Sequence, residues 1–523
     1  MKRFLIVSLL LWSSHGFAGE FLVKYKNTQG FSSIQNMAGQ QSGFQVVDHN
    51  VIASLVKVIV NDDNKAKILA KLYSQPNVEY IVPNFKLRAF TAPVSGRENK
   101  KTGSHRMQQS AAVNLQQQWA IVKVQAEKAW ARAGNRGRKD VIVAVIDTGA
   151  DYKHESLAPN MVPGYNFKDN NSDPMDITGE QNPGHGTHCS GIVGATGLIE
   201  RGTIGIAPNI SIMPLRFLDE NGSGDLDNAV KAIDYAISKG VQVISASWGA
   251  SVSRATAQPL LEAMKRADDK GIIFVSAAAN DGQNNDTTEV YPANNGLPNA
   301  ITVAASDASD AKPSWSNYGT ATVHLASPGD AILSTLPGNQ YGELSGTSMA
   351  TPLVSGLVAL LKSQDSSLTG AQIRALLQTT GVKVPIQTAC QCRIDAFAAV
   401  DAVLSNKMIV VPAAATVDPK ETVNLSVLHG KPPFKFVSSD SSIVKVSSEG
   451  SVTGIGQGKA SITVTDASGR STSTLDIHVG KEAAPQPTPD PDPNDGSSQS
   501  CPVGDASLCQ ILCQMQPTLP FCK

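Results

Sequence analysis

Val141-Ile142-Val143-Ala144-Val145-Ile146-Asp147-Thr148-Gly149 opens with six apolar, mostly β-branched residues and ends in a polar turn. An apolar run this short, with no polar alternation, is what a strand buried on both faces requires, and such strands belong to parallel sheets. Leu226, Ala229, Val230, Ile233, Ala236 and Ile237 then recur at helical spacing and run into Gly240, after which Val241-Gln242-Val243-Ile244-Ser245 reads as a strand. Leu260 to Lys270 repeats the helix and Gly271-Ile272-Ile273-Phe274-Val275-Ser276-Ala277 repeats the strand. This alternation predicts an α/β fold with a doubly wound, mostly parallel sheet, whose functional groups gather at strand carboxyl ends.

Asp147 stands at such an end. Gly184-His185-Gly186-Thr187-His188-Cys189-Ser190-Gly191 has the small residues that let a helix start tightly against neighbouring backbone, with His185 at its mouth. His188, about one turn further on, reads as a packed histidine. Gly346-Thr347-Ser348-Met349-Ala350-Thr351-Pro352 precedes the apolar run Leu353 to Leu361, which puts the Ser348 hydroxyl at the amino end of a buried helix. A serine there is often only a cap. The unpaired N–H groups of a helix start also stabilise an oxyanion. A serine nucleophile further needs a base and a group that orients the base, and His185 and Asp147 are residues of the right kind.

The order Asp147, His185, Ser348 is the order found in subtilisin and differs from those of chymotrypsin and the α/β-hydrolases. With Asp-Thr-Gly, His-Gly-Thr-His and Gly-Thr-Ser-Met-Ala-Thr-Pro in that order, Trp119 to Val403 resembles the subtilisin-like serine proteases, and Cys189 after the second histidine resembles the proteinase K branch. The resemblance implies a serine endopeptidase in which Ser348 attacks, His185 moves the proton and Asp147 orients His185. It also implies that the Asn280 side-chain amide joins the backbone N–H of Ser348 as oxyanion donor. Substrate is then expected to lie extended between Gly222-Ser223-Gly224 and Ser247-Trp248-Gly249, the second segment forming a wall of the primary specificity pocket beside Ala279.

Three positions depart from the family pattern. Ala279 stands where glycine is usual and Trp248 where leucine is usual, which predicts a narrower pocket favouring small or medium apolar side chains. Leu353 replaces a histidine beyond the catalytic atoms. The chemistry requires no cofactor. For structural calcium, Ser156 stands where relatives carry an acidic ligand, while Asp169, Asn170, Asn171, Asp173 and Asp176 offer hard oxygens in a short loop that reads equally well as solvated.

Lys2-Arg3, the apolar run Phe4 to Trp12 and Gly16-Phe17-Ala18 form a secretory signal peptide over 1–18, which predicts a secreted protein, extracellular, periplasmic or on the cell surface. No other run approaches the ~20 apolar residues of a membrane span. Residues 19–112 outline a small α+β domain followed by a polar processing linker from Ser95 to Ser110 and resemble the subtilisin propeptide, an intramolecular chaperone and inhibitor. Its cleavage point is not readable. The catalytic domain is placed at 113–405, and an all-β sandwich at 406–480 resembles bacterial immunoglobulin-like domains of group 2. A Pro/Asp-rich linker follows at 481–500 and a Cys-rich tail at 501–523.

The tail holds Cys501, Cys509, Cys513 and Cys522, two disulfides in an exported chain with three connectivities open. Of the remaining cysteines, Cys189 is expected to stay free, while Cys390 and Cys392 either pair or stay reduced. The chain has 523 residues, 41% of them hydrophobic, and a formal charge of −1, so it carries a substantial core and offers no basic face to nucleic acid. The partners expected are protein or peptide substrates and the chain's own propeptide. A catalytically inert binding protein and an esterase are the competing readings, against which stand the intact triad and the inhibitor-like N-terminal segment.

Overall fold

The computed structural model describes residues 19–92, 115–197 and 202–480. The signal peptide, the processing linker, the 481–500 linker and the four tail cysteines lie outside the described residues.

Residues 19–84 form a compact unit with its own core. Strands β1 (Gly19–Tyr25), β2 (Phe44–Asn50), β3 (Leu55–Val60) and β4 (Val78–Pro83) make an antiparallel sheet in the order β2-β3-β1-β4. Helices α1 (Thr28–Gln40) and α2 (Lys65–Tyr73) supply Ile34, Ile68 and Leu72 to a core shared with Val23, Val56 and Val58. The Asn27 side chain accepts from Gly30 N at 3.1 Å and so satisfies one of the orphan donors at the start of α1.

The larger unit begins at Phe85. Its first strand is β5 (Lys86–Ala89). Helices α3 (Trp119–Lys123) and α4 (Ala126–Ala133) lead into β6 (Ile142–Asp147), the run that opened the sequence reading. There follow β7 (Tyr165–Asn166), α5 (His185–Gly194), β8 (Ser211–Arg216), β9 (Ser223–Asp225), α6 (Leu226–Ser238) and β10 (Val243–Ala246). Then come β11 (Trp248–Gly249), α7 (Gln258–Asp269), β12 (Ile273–Ala277), β13 (Ala300–Ser306), β14 (Leu325–Pro328), the hairpin β15 (Ile332–Leu336) and β16 (Gln340–Leu344), α8 (Thr347–Gln364), β17 (Val382–Lys383) and β18 (Cys392–Arg393).

The central sheet has the order β17-β18-β14-β13-β12-β10-β6-β8-β7. Every pairing in it is parallel except that of β17 with β18. Helices α5 and α8 pack together, as do α6 and α7, giving the doubly wound arrangement. Helix α8 is buried from Thr347 to Leu361, which explains why its sequence is apolar or small on all sides and carries no amphipathic stripe. Pro352 lies inside it.

Beyond the last helix of the α/β part, residues 408–480 are all β. Lys435–Ser438 pairs with Ile462–Thr465 and Thr422–Asn424 with Ser451–Gly454, both antiparallel, around a core of Val444, Val452, Ile462, Val464 and Ile477. Cys390 and Cys392 form a disulfide, and Cys189 is free and buried.

Candidate active site

One strand of the central sheet and the amino ends of two helices packed on it carry Asp147, His185 and Ser348. Asp147 is the last residue of β6, and its Oδ1 accepts from Thr148 N at 2.7 Å and meets His185 Nδ1 at 2.7 Å. His185 is the first residue of α5. That helix starts close against the β6 turn because residue 186 is glycine; a methyl built there would come within 2.1 Å of the Gly149 carbonyl oxygen.

Two further residues hold the amino end of α5. Asn182 Oδ1 accepts from Gly184 N and His185 N, and Asn182 Nδ2 donates to Asp176 Oδ1. Asp176 Oδ2 in turn accepts from Thr187 N and Thr187 Oγ1. A buried carboxylate is well placed at the positive end of a helix dipole, although burial pushes the Asp176 pKa up. Asp176 therefore does not join the loop oxygens with which the sequence groups it, and nothing in its local sequence signals the inward role.

Ser348 is the second residue of α8, so its N–H has no partner one helical turn back. Its hydroxyl donates to the carbonyl of Ser247 at 2.8 Å. His185 Nε2 is buried and unpartnered among the described residues. Pro352 lacks the N–H that would bond to the carbonyl four residues before it, and that carbonyl is the one of Ser348. The freed oxygen instead accepts from Ser247 Oγ at 3.0 Å and Cys189 Sγ at 3.4 Å. Asn280 follows β12; its Oδ1 accepts from Thr347 N and Thr347 Oγ1, both at 2.9 Å. This turns Nδ2, buried and unpartnered among the described residues, toward the start of α8 as an available donor.

Burial opposes a charged imidazolium at His185, but the adjacent Asp147 carboxylate and, after it, Cys189 together favour it more, and the His185 pKa lies well above its usual 6.5. Cys189 Sγ lies 3.9 Å from His185 Nδ1. Burial raises its pKa, so it sits there as a neutral thiol. His188 Nε2 faces the Gly342 carbonyl at 3.0 Å and packs against the β16 strand rather than reaching the catalytic group.

A family model described as the subtilase family matches residues 138–408. This chain belongs to the subtilase family. A second model, described as a bacterial Ig-like domain of group 2, matches residues 405–477. A thermophilic serine proteinase of Bacillus sp. strain AK1 is 35% identical over 366 residues, 70% of this chain and 82% of the relative. Thermitase of Thermoactinomyces vulgaris is 41% identical over 267 residues, 51% of this chain and 89% of the relative. Subtilisin E of Bacillus subtilis strain 168 is 36% identical over 242 residues, 46% and 60% respectively. The chain is a serine endopeptidase of this family, whose catalysis needs no cofactor.

In this subtilase a strand of its own lies across the site. β5 pairs antiparallel with β9 on one side and β11 on the other, with Leu87 opposite Gly224, Arg88 opposite Ser223 and Gly249, and Ala89 opposite Trp248. Ala89 N donates to Gly222 O at 2.9 Å and Phe90 N to Ser247 O at 3.1 Å. All the sequence-named candidates at 222–224 and 247–249 thus border one extended segment. Ala279 packs with Val290 and Ala293 against the Phe90 side chain.

Of the two residues from which a narrower pocket is expected, Trp248 does not line the pocket with its side chain. Its side chain turns inward, donating Nε1 to Ile146 O at 2.6 Å and meeting Phe217 edge-on, and only its backbone faces the strand. The apolar seat beside it accommodates a phenyl ring. Val290 and Ala293 were not among the sequence candidates, because they come from a loop with no motif around it.

Proposed function

We propose that this subtilase is a secreted endopeptidase made as a self-processing zymogen and acting through Asp147, His185 and Ser348. The observation that carries the reading is the buried 2.7 Å contact of Asp147 with His185 beside a serine at the amino end of α8, with a strand from the chain's own N-terminal side laid across it. In the mechanism, Ser348 Oγ leaves the Ser247 carbonyl and attacks the scissile carbonyl while His185 Nε2 takes its proton. Asp147 stabilises the imidazolium, and Asn280 Nδ2 with Ser348 N holds the oxyanion. His185 returns the proton to the leaving amine, and water then releases the acyl group by the reverse roles.

Residues 1–18 serve as signal peptide and 19–112 as propeptide and linker, ahead of the catalytic domain at 113–405. Among the described residues no helix is long and apolar enough to cross a membrane. The Ig-like domain at 406–480 is read as a spacer, which unchanged adhesion after its deletion would support. For structural calcium, the supporting observation is that Asp169, Asn170, Asn171 and Asp173 share one exposed turn, with Asp176 withdrawn from it; metal analysis of the purified protein tests this. The main reading is tested by expressing residues 19–523 alongside Ser348→Ala and following intact mass and casein hydrolysis. Loss of roughly the first hundred residues with proteolysis, both absent in the variant, is the expected result. An unprocessed, inactive but folded wild type overturns it.

A further inference from the structure

The strand that crosses the site is placed in a single register, and that register selects one peptide bond. Phe90 N donates to Ser247 O at 3.1 Å, and Ala92 N donates to Ser345 O at 2.8 Å. The first acceptor, Ser247 O, also accepts the Ser348 hydroxyl, the second lies three residues before Ser348, and only Thr91 stands between the two donors. A methyl built on Gly346 would come 2.5 Å from the Phe90 carbonyl oxygen, 3.1 Å from Asn280 Nδ2 and 3.5 Å from Ser348 N. The space a side chain would fill is thus where one substrate oxygen and both candidate oxyanion donors converge.

Side-chain chemistry holds the register as firmly as the backbone. Leu87 is fully buried, Phe90 fills the seat formed by Ala279, Val290 and Ala293, and Lys86 reaches outward to Asp225 at 2.7 Å. Sliding the chain by one residue in one direction puts Ala89 in the aromatic seat and Lys86 in the buried position of Leu87. Sliding it the other way puts Thr91 and Arg88 there. Either slip buries a cation without a partner, which is strongly disfavoured.

We infer that Phe90–Thr91 is the first bond this enzyme cuts, leaving Phe90 as the carboxyl terminus of the released N-terminal segment. The inference rests on the self-processing reading above and names its bond. Ser348 Oγ bonds to the Phe90 carbonyl carbon as the C–N bond to Thr91 breaks, and the Thr91 amine leaves with the proton carried by His185. Water then hydrolyses the ester to a Phe90 carboxylate and restores the serine.

The test is to express the full chain in an exporting bacterial host, quench samples in acid over time, and determine the carboxyl terminus of the earliest N-terminal fragment by mass spectrometry. The expected fragment ends at Phe90, is absent in Ser348→Ala, and appears about tenfold or more slowly in Phe90→Asp, which places a carboxylate in an apolar seat. Phe90→Tyr, which keeps the ring, restores cutting at the same bond. An earliest fragment that ends elsewhere and still requires Ser348 overturns the bond assignment and leaves the zymogen reading intact. A wild type that hydrolyses casein but yields no fragment overturns both.

Discussion

His185 Nδ1 lies 2.7 Å from Asp147 Oδ1, and both side chains are buried. Burial disfavours the imidazolium, the Asp147 carboxylate and Cys189 together favour it more, and the pKa rises well above 6.5. A base must be neutral to accept the serine proton, so activity is gained as pH rises through the raised value and lost as pH falls below it. A pH profile of kcat/KM on a chromogenic peptide should therefore show an acid limb centred above 6.5. For folding the sign is opposite: the stabilisation of the charged pair is complete below about 6.5 and fades as pH rises through the raised value. Asp147→Asn removes the orienting carboxylate and should lower kcat by a factor on the order of 10⁴.

Asn280 accepts from Thr347 through its carbonyl and keeps its amide without a partner among the described residues. Asn280→Leu should lower kcat about 10²–10³-fold with little change in KM, the range established for a side-chain oxyanion donor in subtilisin. A change confined to KM would assign Asn280 to substrate binding instead.

Ala279 has φ +90°, a conformation that costs a non-glycine residue on the order of 1 kcal/mol or more. Its methyl also lines the seat of the Phe90 ring. Ala279→Gly should leave Tm unchanged or raise it, whereas glycine in an ordinary buried position destabilises. On a peptide library, the wild type should prefer phenylalanine to alanine on the acyl side of the scissile bond, and the variant should gain most on tryptophan. A wild-type preference for alanine would restore the narrow pocket expected from the sequence.

Cys189 is buried and its thiol pKa is raised, so it carries little thiolate at neutral pH. Iodoacetamide should leave the folded enzyme active at pH 8. A mercurial that reaches the sulfur crowds His185, 3.9 Å away, and should inhibit. Cys189→Ala should keep most of the activity and lose the sensitivity.

Asp147, His185 and Ser348 were legible as candidates because each carries its own local signature: a buried strand ending in a turn, a glycine-lined helix start, and a serine ahead of an apolar helix. The alternation of helix and strand was legible for the same reason, since periodicity is a short-range property. Asp176 and Asn182 were not legible as supports of α5, because their partners are chosen by how a loop folds back. The inward turn of Trp248 was hidden because residue type does not state which face of a two-residue strand is core. Phe90 was hidden too, since one aromatic in the mixed run Lys86-Leu87-Arg88-Ala89-Phe90-Thr91 acquires meaning only when the chain is laid beside Ser247 and Ser345.

The three-stranded sheet of β9, β5 and β11 has outer strands from the enzyme and a middle strand that the proposed cut removes. What remains is a gap bordered by two rows of unsatisfied main-chain groups, about 17 Å long for the five residues from Lys86 to Phe90. Helices and tight turns cannot fill it, because their own amides are already bonded and their rise per residue is too short. The enzyme therefore tests a protein for its ability to be drawn out straight before any side chain is inspected. Damaged, unfolded or loosely looped chains pass that test, while tightly folded ones, including the enzyme's own rigid body, resist it.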